Sequence, residues 1–178
     1  MNYKYDVAIS YKSELRNKAI KIADYLTADG WKVFLDENER QELLSQKIHQ
    51  ELYDIYKNQS LMKVLLLSDS YFKGEWTALE MRASIEGTKQ DRKRLLIVNY
   101  AKCPLPDSIC SLQYLDGTKM YEDEIAYAIT ERINKYLINH AKDQRNVPHK
   151  NRTIEIQKVI NNHGIVTGDH ANFGNIKF

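Results

Sequence analysis

Two hydrophobic periodicities alternate along this chain. Tyr3 to Ser10 alternates at first and then runs continuously apolar through Val7, Ala8 and Ile9, which predicts a strand. Leu15, Ala19, Ile22, Ala23 and Leu26 follow at helical spacing, and Asp29-Gly30 closes that helix. Trp31 to Leu35 predicts a second strand. After a polar stretch from Asp36 to Glu42, Leu44, Ile48, Leu52 and Ile55 mark a second helix. Met62 to Leu67 is a near-continuous aliphatic run of the kind that forms a central parallel strand covered on both faces. A third helix is expected from about Trp76 to Lys89, a fourth strand over Leu95 to Val98, and a fifth over Ser111 to Leu115, with Asp116-Gly117 as a turn. Ile125, Ile129, Ile133 and Leu137 give the last helix.

This alternation predicts an α/β fold with a doubly wound, five-stranded parallel sheet. Ligands of such sheets bind beyond the carboxyl ends of the strands, where the winding reverses. The segments that matter are therefore Ser10 and Tyr11, Asp36 to Ser45, Ser68 to Trp76, and Asn99 onward. Residues 1–140 read as the domain and 141–152, with Pro148, as a linker. Residues 153–178 read as a glycine-rich C-terminal segment. There Gly164, Gly168 and Gly174 separate isolated apolar residues, a piece that cannot bury its own side chains. It docks on the domain, pairs with other copies, or stays floppy.

Composition narrows the function classes. The chain has 178 residues, 43% apolar and 28% charged, which is ordinary for a globular domain. A net charge of +2 gives no global field for nucleic acid or a membrane surface. Lys89, Arg92, Lys93 and Arg94 sit where a helix should end and read as solvated cations complementing its dipole. The N-terminus lacks the apolar stretch of a signal peptide, and the longest apolar run, Leu61 to Leu67, contains Lys63 and is too short to span a bilayer. Cys103 and Cys110 are expected as thiols, and the cytoplasm as the compartment.

No glycine-rich phosphate loop follows the first strand, and no nucleophile elbow is present. His49 falls on a helix and His140 at a helix end; His163, Asp169 and His170 read as turn residues rather than metal ligands. Glu80 is the notable carboxylate, one helical turn from Trp76 and close to Gly74. A helix N-terminus favours an ionised carboxylate. Spacing alone fits both a functional group and a solvated helix residue.

Taken in order, Tyr5-Asp-Val-Ala-Ile-Ser-Tyr11, Gly30-Trp-Lys-Val-Phe-Leu-Asp36, the strand ending Leu67-Ser68 and Ser70-Tyr-Phe-Lys-Gly-Glu-Trp-Thr-Ala-Leu-Glu80 strongly resemble the Toll/interleukin receptor (TIR) family, and within it the bacterial proteins. Leu44-Ser45, Leu52-Tyr-Asp-Ile-Tyr56 and Gln113-Tyr-Leu-Asp116 extend the likeness over roughly residues 3 to 138. The resemblance implies a flavodoxin-like sheet and either of two jobs. One is NAD+ glycohydrolase or ADP-ribosyl cyclase activity in anti-phage immune signalling, with NAD+ as substrate and neither cofactor nor metal. The other is a non-enzymatic module that assembles a signalling complex. It further implies Glu80 as the catalytic group, with Ser10, Tyr11, Lys12, Asp36, Ser45, Ser68 and Trp76 around the substrate. Implied partners are NAD+, further copies of the chain joined through TIR surfaces and the C-terminal segment, and a separate effector reading the product. The family's loop after the second strand carries a glycine; here Asp36 to Ser45 has none, Ser45 stands at that position, and the loop is acidic.

Overall fold

A computed structural model describes residues 3–35, 46–101, 109 and 112–144. Its strands are β1 (Tyr5–Ser10), β2 (Val33–Leu35), β3 (Ser60–Leu67), β4 (Leu95–Asn99) and β5 (Tyr114–Asp116). Its helices are α1 (Arg16–Ala28), α2 (Gln46–Asp54), α3 (Glu75–Gly87) and α4 (Glu122–Gln144). The sheet order is β2-β1-β3-β4-β5 and every pairing is parallel. The expected α/β architecture is thus observed, with the winding reversing between β1 and β3.

Side-chain alternation along the strands sorts the core into two layers. Val7 and Ile9 of β1, with Tyr11 just beyond it, pack with Met62, Val64 and Leu66 against Ala19, Ile22 and Leu26 of α1 and Ile125, Ile129 and Ile133 of α4. The intervening residues face the other way. Ala8 meets Leu52, Tyr56 and Ala83, while Leu65, Leu67 and Ile97 meet Tyr71 and the side chains of Met81 and Ile85. All eight residues of β3 are buried, as expected of a strand covered on both faces.

Several boundaries differ from those read in the sequence. β5 covers Tyr114–Asp116, so Asp116 completes the strand rather than opening the turn. Its carboxylate accepts from the backbone amide of Thr118 at 3.1 Å, closing the corner instead. α2 continues into a π-helical turn, Ile55–Gln59, where Tyr56 donates to the carbonyl of Ile9 at 2.8 Å. The last helix starts at Glu122 and runs on to Gln144, through the first residues expected of the linker.

The basic cluster is only partly solvated. Arg92 does reach the carbonyl of Ile85 near the end of α3. Arg94 instead turns inward and donates to the carbonyls of Leu61 and Ser60, because the first carbonyls of β3 need partners where the sheet frays. Cys103, Cys110 and the segment 153–178 lie outside the described residues. Among the described residues, no helix is long and apolar enough to cross a membrane, and no group of three or more His, Cys, Asp or Glu could hold a metal ion.

Candidate functional site

The inward stripe of α3 is unusually small and polar: Thr77, Glu80, Ala83 and Ser84 are its buried residues. Small side chains let the helix approach the sheet closely. At its far end α3 also crowds the π-helical turn after α2: a Cβ at Gly87 would lie 2.2 Å from the carbonyl oxygen of Lys57. Glu80 belongs to this stripe, and only 3% of it is exposed. Because the helix begins at Glu75, Glu80 falls in its second turn, beyond the first-turn groups whose dipole was expected to favour its charge.

A side-chain donor serves the carboxylate. Ser10, the last residue of β1, directs its hydroxyl to Oε2 of Glu80. Alternation along β1 explains the meeting: Ser10 shares its face with Ala8, towards α3, while Tyr11 shares the face of Val7 and Ile9. Ser10 Oγ also lies 2.5 Å from the phenol oxygen of Tyr71. Tyr71 is wholly buried, and burial, reinforced by the charge of Glu80, pushes its pKa well above that of free tyrosine.

The turn after β3 builds the rim. The amide of Tyr71 bonds the carbonyl of Ser68 at 3.1 Å, and Thr77 Oγ1 donates to the carbonyl of Tyr71 and, at 3.1 Å, to that of Gly74. Gly74 is required by crowding rather than by backbone torsion. A Cβ there would fall 2.7 Å from Thr77 Oγ1 and 3.0 Å from the Lys12 ammonium. Lys12 therefore lies across the start of α3. Ser70 donates to Glu14 at 2.5 Å. Ser68 Oγ is buried and makes no hydrogen bond of good geometry among the described residues, yet its proximity is the largest cause holding Glu14 below the usual carboxylate range.

The expected residues divide accordingly. Ser10, Lys12, Ser68 and Glu80 gather at the carboxyl ends of β1 and β3 and the start of α3. Trp76 is half-buried nearby; its indole packs towards α2, with the His49 ring edge-on at 4.0 Å. Tyr11 is buried in the other layer, beneath α1 and α4. Asp36 and Ser45 lie outside the described residues. Sequence reasoning missed Tyr71, Thr77 and Glu14. Tyr71 could have been singled out as the one phenol in the short segment joining the central strand to the helix of Glu80.

Elsewhere, an open groove of about 790 Å³ is lined by Leu96, Leu115, Met120, Tyr127, Glu131 and Arg132. Leu96 belongs to the α1 and α4 layer, so this groove is on the face of the sheet away from Glu80.

A protein of Aquimarina amphilecti named 3′ cyclic ADP-D-ribose synthase AaTIR is 29% identical over 136 residues, covering 75% of this chain and 41% of that protein. The chain thus spans about two fifths of the length of that curated relative. Among solved structures, the TIR domain of the Toll-related receptor TRR-2 from Hydra magnipapillata aligns with a TM-score of 0.52 at 20% identity, covering 86% of this chain and 99% of that one. A metazoan TIR-STING receptor from C. gigas aligns with a TM-score of 0.54 at 21% identity, covering 71% and 40%. These two likenesses concern the fold. The TIR domain family matches residues 7–133, well over half of the sequence, and the chain belongs to that family.

Proposed function

We propose that this protein cleaves the nicotinamide–ribose bond of NAD+, with Glu80 as the catalytic residue. The observation that carries the reading is a carboxylate only 3% exposed at the reversal point of the sheet, supplied with a hydroxyl donor by the end of β1. A buried acid costs stability, which is the usual mark of a functional group. The related protein of Aquimarina amphilecti, a cyclic ADP-ribose synthase by name, supports the same substrate.

The chemistry suits a single carboxylate. Nicotinamide in NAD+ is a cationic pyridinium. When the bond to C1′ of the ribose breaks, the electron pair goes to the ring nitrogen and neutral nicotinamide leaves without protonation. Positive charge then develops on the ribose, and an anion held beside it lowers the barrier. Glycosidases with poorer leaving groups need a second carboxyl as acid or nucleophile, and this reaction does not. Water attacking C1′ gives ADP-ribose and releases a proton; a hydroxyl of the same molecule gives a cyclic product. Lys12, beside Gly74, is a cation suited to the diphosphate, and Trp76 offers a flat face for a base. In anti-phage signalling the product would act on a separate effector.

Purified protein incubated with NAD+ at micromolar concentration is expected to release nicotinamide, with mass spectrometry identifying the co-product. Glu80→Ala is expected to lower the rate by roughly a hundredfold or more, about 3 kcal/mol of transition-state stabilisation. Release undiminished in Glu80→Ala rules this reading out.

Assembly is the second reading. Tyr114, Tyr121 and Tyr127 are 49%, 76% and 67% exposed around β5 and the start of α4, a surface that is open in the isolated chain. An assembly role alone would leave signalling intact in Glu80→Ala and lose it when this surface is altered.

A further inference from the structure

Three polar side chains from three elements form one buried file: Tyr71 from the turn after β3, Ser10 from β1 and Glu80 from α3. Polar groups are costly to bury unless they satisfy one another, so the three form a unit. Proton accounting gives its direction. Ser10 has a single hydroxyl proton and directs it to Oε2 of Glu80. In the 2.5 Å contact between Ser10 and Tyr71 the phenol is therefore the donor. The order is Tyr71 to Ser10 to Glu80, and the carboxylate end accepts.

The donor end is rigidly built. The Tyr71 carbonyl is held by Thr77, its amide by Ser68, and its ring packs on Leu65, Leu67 and Ile97, with Phe72 at 5.6 Å in a T-shaped arrangement. Nothing in the substrate chemistry requires a phenol here. A phenylalanine would fill the same space, and only the hydroxyl distinguishes the two.

We propose that Tyr71 is a positioning residue for the NAD+ reaction: through Ser10 it fixes the orientation in which Glu80 meets the ribose. This rests on Glu80 being the group at which NAD+ is cleaved, and adds to it the two residues that orient the carboxylate. A serine held by a phenol cannot rotate away, so Oε2 stays occupied and Oε1 keeps a constant heading. Loosening the file should slow the chemical step and leave substrate affinity alone. It should also make the buried carboxylate easier to protonate, raising the acid limb of the pH–rate profile.

The experiment measures nicotinamide release against pH for wild type, Glu80→Ala, Tyr71→Phe, Ser10→Ala and the Tyr71→Phe/Ser10→Ala double variant, with thermal melts to establish folding. Tyr71→Phe is expected to lower kcat about tenfold with KM within about twofold, and to raise the acid limb by about one pH unit. Ser10→Ala is expected to show the same pattern, larger. In the double variant the tyrosine substitution should add nothing, because its route to Glu80 has been removed. A wild-type rate and acid limb in folded Tyr71→Phe overturn the proposal. So does a full multiplicative effect in the double variant, which a packing role would produce. Should Tyr71→Phe fail to fold, an unchanged profile in Ser10→Ala overturns it equally. If wild type itself releases no nicotinamide, the NAD+ reading falls and this falls with it. A wild type that is active, with Glu80→Ala inactive and Tyr71→Phe unaffected, sinks the positioning role alone.

Discussion

Replacing Lys63 with methionine removes an ammonium group from the middle of the sheet. Lys63 is 0% exposed on β3, paired with Ala8 on one side and Leu95 on the other. Its Nζ donates to the carbonyl of Ser60 at 2.6 Å, and Arg94 donates to the same oxygen at 3.0 Å. Burial, helped by the neighbouring guanidinium of Arg94, lowers the lysine pKa from 10.5 to about 7. Between those values the unfolded chain binds a proton that the folded chain does not. Stability therefore rises with pH across that window, and the penalty is fully present below it. At about 1.4 kcal/mol per pH unit the upper limit is roughly 5 kcal/mol. Relaxation of the surroundings reduces it, and the expected gain for Lys63→Met at pH 6 is about 1–4 kcal/mol. Ser60 keeps its bond to Arg94, so little is lost in exchange. Urea unfolding at intervals between pH 6 and 9.5 should give a rising curve for wild type and a flatter, higher one for the variant. A variant less stable than wild type at pH 6, with the same slope, would refute the reasoning.

Gly87→Ala should cost about 1–3 kcal/mol, seen as a lower urea midpoint at unchanged slope, because its Cβ would fall 2.2 Å from a backbone oxygen that cannot swing aside. An unchanged midpoint would mean that the end of α3 can shift away from Lys57. The carboxyl of Glu86 is held down to about 2, first by the Tyr53 hydroxyl and then by Lys57. Tyr53→Phe should therefore raise the Glu86 titration midpoint in NMR and, by narrowing its gap from the unfolded value, reduce the stability this group loses as pH falls; no movement would leave the cations Lys57 and Lys89 as the cause.

The layers of this fold were legible because burial writes its period into the sequence. Met62 to Leu67 read as a strand with two covered faces, Leu95 to Val98 as the fourth strand and Ile125, Ile129 and Ile133 as one helical stripe, and each is found so. The ends were less legible. Glu122, Asp123 and Glu124 carry the start of α4, and Glu124 accepts from the amide of Tyr121 at 2.8 Å, a capping signal that the apolar period does not contain. The π-helical turn at Ile55–Gln59 had no local signal, because it arises where α2 must meet β3. At the site, spacing tied Glu80 to Trp76, whereas packing ties it to Thr77 and Ser84, the small residues along which α3 meets the sheet. Tyr71 was not singled out at all, since its hydroxyl matters only through residues distant in the chain. Lys63 read as an interruption in an apolar run, because composition does not reveal that Ser60 lies within reach of its ammonium.

The pleat of β1 gives one strand two audiences. A change at Val7 or Ile9 is felt beneath α1 and α4, while a change at Ala8 or Ser10 is felt under α3. The two interleaved sets can drift independently, one answering to the α1 and α4 layer and the other to the surroundings of Glu80. A single-residue insertion or deletion within the strand would exchange them, leaving an aliphatic or aromatic side chain where Glu80 expects a hydroxyl. Length errors in this strand should therefore be far less forgivable than substitutions.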